Sequence, residues 1–283
     1  MTAILNKFST SLNKHIIAKL NGQTLAAGMT ESDVAQLIAK DFSAAAMGYH
    51  EHNILQKRTA IMLCQTLSPT GTLLDIGAGP GTDFSVFSKV KQVVTLDIAS
   101  GMLAKLKENF PQYQAITGDA QCLPLQNNSI NAIYSNLALQ WCPRFKQAMS
   151  EAARVLMPSG TLDMSVVTEN SLPELEHLGF KVNRFQAFDD LVAHFDAREW
   201  QIKEAKLVPV TVYFEDLKSL LYSIKGVGAS VLIDKPLRPV LQLRGRQDWL
   251  SLNKKANSLK QARGIPLTYY IAIIRAKRKY SLV

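Results

Sequence analysis

Cysteine is scarce in this chain. The 283 residues hold three, Cys64, Cys122 and Cys142, with no CxxC pair and no His pair at ligand spacing. That argues against a zinc site and against a disulfide framework, and no metal is expected. Each cysteine reads as a small apolar packing residue of a reducing compartment. The five histidines, His15, His50, His52, His177 and His194, form no motif and read as surface or packing residues. No apolar run approaches eighteen residues, so no membrane span is expected. The first twenty residues, "MTAILNKFSTSLNKHIIAKL", contain no acid and no apolar core of a secretion signal. Residues 1–40 therefore read as an extension, disordered or helical, of a cytoplasmic protein.

Acids are also missing from the C-terminal end. Between Lys235 and Val283 twelve Lys or Arg face a single acid, Asp248, for a local charge of +11. The whole chain is +9, so the remainder is near neutral at −2. Such asymmetry fits an acidic partner, whether nucleic acid, membrane surface or protein, or else a solvated basic face. Charge alone does not choose among them.

What is present is a globular composition, 47% hydrophobic and 8% aromatic, with enough length for one large domain or a domain carrying an insertion. From Leu73 onward short apolar runs alternate with helical stretches, the pattern of a wound α/β sheet. Strands are expected at 72–77, 92–97, 114–119, 130–136 and 161–167, with helices at 100–110 and 145–156. The second helix should stop at the "PSG" turn of 158–160. Residues 31–67 read as one amphipathic helix, and 168–199 as an irregular segment with short helices. Strands return at 206–214 and 268–277, the last alternating as an edge or antiparallel strand does.

"LLDIGAGPGT" at 73–82 carries the chemistry. Gly77, Gly79 and Gly81 follow a buried-type strand and should precede a helix, letting backbone approach a ligand closely. A dinucleotide fingerprint would need glycine at position 82, where Thr82 stands. Asp75, two residues before the first glycine, is ill suited to a phosphate ligand and well suited to one with a cationic amine and sulfonium. S-adenosylmethionine is such a ligand. Asp97 ends the second strand, where a carboxylate can accept from both ribose hydroxyls. Asp119 ends the third in "GDA", placed to accept from an adenine amino group, with the Ala120 amide toward the ring. Taken singly, Asp75 could cap a helix, and Asp97 or Asp119 could close turns. Three acids at successive strand tips beside a glycine turn favour the ligand.

This arrangement resembles the class I S-adenosylmethionine-dependent methyltransferases over about 60–167. The resemblance implies a Rossmann-like α/β fold: a seven-stranded sheet with its last strand antiparallel, helices on both faces and an inserted helical lid around 168–199. The methyltransferase domain would run from 41 to 283. It further implies that Asp75, Gly77, Ala78, Gly79 and Gly81 lie beside the methionine portion, Asp97 on the ribose, and Asp119 and Ala120 on adenine, with Ile98 and Met102 also in the cofactor set. Asn136 joins the cofactor set. Asn131 departs from the Asp common at that place.

A narrower resemblance rests on "FSAAAMGYHEHNILQ" (42–56), "YSNLALQWC" (134–142), "NSLPEL" (170–175), "NRF" (183–185), "LKSLLYSIKGVGAS" (217–230) and "PLTYYIAI" (266–273). In order and coverage these are similar to the malonyl-acyl carrier protein O-methyltransferases of biotin synthesis. The stretch between "SLPEL" and "NRF" is shorter than in that family, and the start is longer. The resemblance implies methylation of the free carboxylate of a malonyl thioester, bound to acyl carrier protein or coenzyme A. Such a carboxylate is already ionised, so positioning rather than base catalysis is required. Tyr49, Gln140, Trp141, Arg184 and Lys225 are the residues expected to hold it, Arg184 by its forked guanidinium. Lid ion-pairing for Arg184 and core packing for Trp141 are the alternatives. The basic C-terminal residues Arg238, Arg244, Arg246, Lys254, Lys255, Lys260 and Arg263 would steer an acidic carrier. Competing functions are a quinone-pathway C- or O-methyltransferase, an RNA methyltransferase, against which "SNLA" replaces the usual Asn/Asp-Pro-Pro-aromatic segment, and a non-catalytic cofactor-binding assembly protein.

Overall fold

In the computed structural model, residues 30–229 and 245–280 are described. Most of the expected extension over 1–40 lies outside them, as do Arg238 and Arg244. The described residues divide into two compact units: 55–169, 185–209 and 270–280 form one, and 30–54, 170–184, 210–229 and 245–269 the other.

Seven strands make one sheet: β1 (Gly71–Ile76), β2 (Val90–Asp97), β3 (Gln114–Thr117), β4 (Ile130–Asn136), β5 (Leu156–Val167), β6 (Trp200–Phe214) and β7 (Ile265–Arg278), in the order β3-β2-β1-β4-β5-β7-β6. The pairs β1–β2, β2–β3, β1–β4 and β4–β5 are parallel, and β7 runs antiparallel to β5 from Thr161↔Lys277 to Val167↔Ile271. The expected α/β sheet with an antiparallel final strand is therefore present. Consecutive Leu73 and Leu74 are both fully buried, as a strand covered on both faces requires. Leu74 and Ile76 pack in a core with Ile133, Leu162, Met164, Phe145, Met149 and Ala152. By strand alternation Asp75 points to the face opposite Leu74.

Helix α1 (Glu31–Ala45) opens on a capping box between Thr30 and Asp33; α2 (Tyr49–His52) and α3 (Ile54–Cys64) follow. The single helix expected over 31–67 is thus three, broken at Gly48 and Asn53, residues that favour non-helical backbone. After β2 comes α4 (Ser100–Asn109), and α5 (Phe145–Val155) precedes β5. No helix follows the glycine turn: residues 82–89 are irregular, with turns only at 85–86 and 88–89. Asp83 accepts the Ser85 amide in an Asx turn, and the Phe84 amide donates to the Tyr113 hydroxyl at 3.0 Å. Buried Phe84 then packs edge-on to Tyr134, 5.2 Å between centroids. Local side-chain bonds and an aromatic anchor outcompete a short Ser/Thr/Val-rich helix.

The "PSG" turn is likewise corrected. β4 Ile130 pairs with Leu156 and Ala132 with Thr161, so 157–160 form a bulge inside β5, with Ser159 at φ 68°.

Of the expected lid segment, α6 (Pro173–Leu178) belongs to the second unit, where Glu174 accepts from the Thr268 amide and hydroxyl at 2.9 and 2.7 Å. α7 (Phe188–Ala193) belongs to the first, where Leu191 and Phe195 enter the main core. The second unit also holds α8 (Leu217–Lys225), capped by Asp216 and Ser219, and α9 (Arg246–Ser258).

Candidate active site

In the first unit β1 lies between β2 and β4, so chain direction across the sheet reverses beside it. Open α/β sheets bind ligands at the carboxyl ends of strands at such a point. The glycine turn emerges there. Gly77 and Ala78 donate to the Leu96 carbonyl at 2.7 and 3.2 Å, and Gly81 donates to Ala78 at 3.0 Å. Gly79 donates to Asp97 Oδ2 at 2.8 Å, and Asn109 Nδ2 donates to the Pro80 carbonyl. Gly77 has φ 71°, and a Cβ there would stand 2.1 Å from the Ala138 Cβ. Gly81 has φ 100°, and its Cβ would strike the Phe110 ring at 2.5 Å. Both positions demand glycine.

Asp75 and Asp97 are 1% and 8% exposed, and neither forms an ion pair with a described residue. Burial, and then the Asp97 charge, hold the Asp75 carboxyl well above the usual carboxylate range. Burial raises Asp97 too, opposed by the Ala99, Gly79 and Ile98 amides. Asp75 Oδ2 is buried without a hydrogen-bond partner. Two adjacent buried acids, one with an orphaned oxygen, are costly alone and are stabilised by a cation. A ligand with an ammonium and a sulfonium fits that electrostatic demand, and a pyrophosphate does not.

The remaining sequence-predicted cofactor residues fall in the same unit. Ile98 follows Asp97 and is half-buried, while Met102 is buried within α4. Asp119 is half-buried beside buried Ala120. Its oxygens already accept from Gln121, a residue the sequence reading missed: the backbone amide at 2.8 Å and Nε2 at 3.1 and 3.0 Å. Asn136 is committed internally, Nδ2 donating to the Gln56 carbonyl at 2.9 Å and Oδ1 accepting from Ser165 at 2.7 Å. Asn131 braces the far end of the strands: Oδ1 accepts the Thr72 amide at 2.8 Å, and Nδ2 lies 3.1 Å from Met157 sulfur.

A methyltransferase-domain family model matches residues 74–163, which span the glycine turn and all three acids. The malonyl-[acyl-carrier protein] O-methyltransferase of Marinomonas sp. is 30% identical, over 87% of this chain and 94% of that one. The chain belongs to the malonyl-[acyl-carrier protein] O-methyltransferase family. The enzyme of the same name from Salmonella typhimurium is 30% identical over 83% of this chain and 94% of its own. A biotin biosynthesis bifunctional protein of Cellvibrio japonicus is 29% identical over 88% of this chain and half of itself. Among solved structures, the YcgJ protein of Bacillus subtilis matches with a TM-score of 0.52 at 19% identity, covering 80% of this chain and 99% of that one. The [4+2]-cyclase SpnF matches at 0.51 with 15% identity, covering 79% and 81%. These structural likenesses show the fold alone; a cyclase on the same scaffold shows why reaction must be argued from residues.

In this methyltransferase S-adenosylmethionine is the cofactor, and the residues expected to hold substrate divide between the units. Gln140 and Trp141 lie in the single 3₁₀ turn Leu139–Trp141 after β4, both half-buried. Gln140 Nε2 donates to the Leu137 carbonyl at 2.6 Å, and its buried Oε1 has no partner. Tyr49, Arg184 and Lys225 belong to the second unit. Tyr49 is half-buried at the start of α2, and Arg184 is exposed. Lys225 lies 5.7 Å from the Tyr222 ring centroid, and that ring stacks on His52 at 5.8 Å. Cysteine chemistry has no support: burial lifts the Cys142 thiol to about 12, and burial also raises Cys64. Among the described residues no group of His, Cys, Asp and Glu is placed to hold a metal, and no helix is long and apolar enough to cross a membrane.

Proposed function

We propose that this enzyme methylates the free carboxylate of a malonyl thioester, carried by acyl carrier protein or coenzyme A, for biotin synthesis. The reading rests on one observation above others. Identity to the family extends over 94% of a relative's length, far beyond the cofactor turn that all such methyltransferases share. Bound at the strand tips, S-adenosylmethionine supplies a methyl group on a sulfonium. Asp75 and Asp97 hold the cationic end and the ribose, and Asp119 and Ala120 hold adenine. The malonyl carboxylate is ionised at neutral pH, so no base need be recruited. Arg184 grips the oxygen that does not attack, because a strong donor on the attacking oxygen would blunt it. Tyr49, Trp141 and Lys225 exclude water and complete the positioning, a contribution worth about 7–11 kcal/mol where geometry is favourable. With the cofactor so held, methyl transfer to the carboxylate oxygen would give a neutral ester and S-adenosylhomocysteine, the oxygen lone pair displacing the sulfonium sulfur.

The acidic carrier is steered by the basic C-terminal region, and the enzyme works in the cytoplasm. Arg246, Lys254, Lys255, Lys260 and Arg263 are all exposed. Lys255 donates to the His177 carbonyl, Lys260 to that of Glu215 at 2.9 Å, and Arg263 lies 4.6 Å from the Tyr213 ring centroid. These contacts orient the cations without neutralising them.

The test offers the full-length protein methyl-labelled cofactor with malonyl-carrier, malonyl-coenzyme A, quinone precursors or RNA. Label in a base-labile malonyl ester is expected. Label in a quinone precursor or RNA, with none in the malonyl ester, overturns the reading.

A further inference from the structure

Gln121 stands outside every role assigned so far, yet it is 5% exposed and every hydrogen-bonding group of its side chain is used. Its Nε2 donates to both oxygens of Asp119, at 3.1 and 3.0 Å, while its backbone amide donates to Oδ1 at 2.8 Å. On the other side Oε1 accepts the Arg144 amide at 2.8 Å, and the Gln121 carbonyl accepts from Gln147 Nε2 at 2.9 Å. Arg144 is the residue that caps α5, so Gln121 is anchored to the start of that helix. An ionised carboxylate has about four acceptor sites. Gln121 occupies three of them and leaves one, on Oδ2.

We propose that Gln121 is a positioning residue which aims the single open acceptor of Asp119 at the exocyclic amine of the adenosyl group, without touching the ligand. The inference rests on the reading of Asp119 as the adenine acceptor. A free carboxylate on a loop rotates and accepts an amine N–H or a solvent donor equally well. One clamped by a buried amide offers a fixed lone pair, which accepts from an amino group and is repelled by a carbonyl oxygen. A neutral amide also does this without placing a second anion beside Asp119, as a glutamate at 121 would.

The test compares S-adenosylhomocysteine with S-inosylhomocysteine, in which C=O replaces C–NH₂, by calorimetry on the full-length protein. The parent protein should prefer the amino ligand by about tenfold or more, the scale of a hydrogen bond to a charged group. Asp119→Ala should abolish that preference. Gln121→Met, matched in size but lacking donors, should lose most of it while the fold, checked by thermal melting, is retained. A purely structural role would weaken both ligands together and keep their ratio, which overturns the inference. A preference that survives Asp119→Ala overturns the adenine reading itself, separately from the role of Gln121. Should Gln121→Met fail to fold, Gln121→Glu keeps an acceptor toward Arg144 and removes the side-chain donors toward Asp119. It too should lose the preference, and an undiminished preference in it counts against the proposal.

Discussion

Asp75 is the residue that most directly tests the proposed cofactor end. Its folded-state carboxyl is raised by burial and by Asp97, so the ligand-free protein holds a proton that the unfolded chain releases at lower pH. The stability this group contributes is complete below the unfolded value of about 4 and is lost as pH rises toward the raised one. Asp75→Asn cannot ionise. Without ligand it should melt higher than the parent, with an advantage that grows as pH climbs out of the carboxylate range. The gain comes from sparing the folding chain the proton uptake that a raised Asp75 requires above the unfolded value. The same variant should bind S-adenosylmethionine at least about tenfold more weakly, because the cation loses its counter-charge. Parent-like affinity in Asp75→Asn would remove Asp75 from the site. Its acidity and place were legible in the sequence, since a carboxylate within an apolar strand needs a reason. Gln121 was not legible: a glutamine in a loop carries no periodicity, and only the fold brings it against Asp119 and Arg144.

Elements show where local signals held and where they failed. β4 runs over 130–136 as read, because its run is bounded by turn residues and buried except at Asn131 and Asn136. The glycine turn also stands where expected, but without the helix after it. A residue count permits a short helix over 82–89, and what displaces it is the tertiary bond from Phe84 to Tyr113, 29 positions away. The bulge at 157–160 likewise depends on strand pairing, which keeps "PSG" within the ladder rather than ending it. At this scale Gly77→Ala is the informative change. It places a Cβ against Ala138 at positive φ and should cost about 1–3 kcal/mol of stability, with loss of cofactor affinity. Gly48→Ala meets nothing within 4 Å at an ordinary φ of −98°, and should stay within about 0.5 kcal/mol. Denaturant unfolding of the two variants separates the cases; equal costs would mean the glycine turn is not constrained as described.

For the molecule as a whole, the governing feature is uneven charge. If the basic region steers an acidic carrier, reversing Arg246, Lys254 and Lys255 together should raise KM for the carrier-bound substrate by about tenfold or more, with KM for malonyl-coenzyme A little changed. Added salt should imitate the reversal on the carrier substrate, since screening acts on exposed charges beyond about 10 Å at 0.1 M. Equal effects on both substrates would assign the basic face to solubility alone.

The wound α/β class, the place of the glycine turn, the acids at the strand tips beside it and the family itself were all legible in the order of residues. They depend on short spacings and on burial patterns that a strand or turn carries within itself. The commitment of Asn136 to Gln56 and Ser165 and the clamp of Gln121 on Asp119 were decided only by tertiary structure. A hydrogen-bonding group has no partner until folding brings a distant one within about 3 Å, and that choice of partner determines which atoms are left for a ligand.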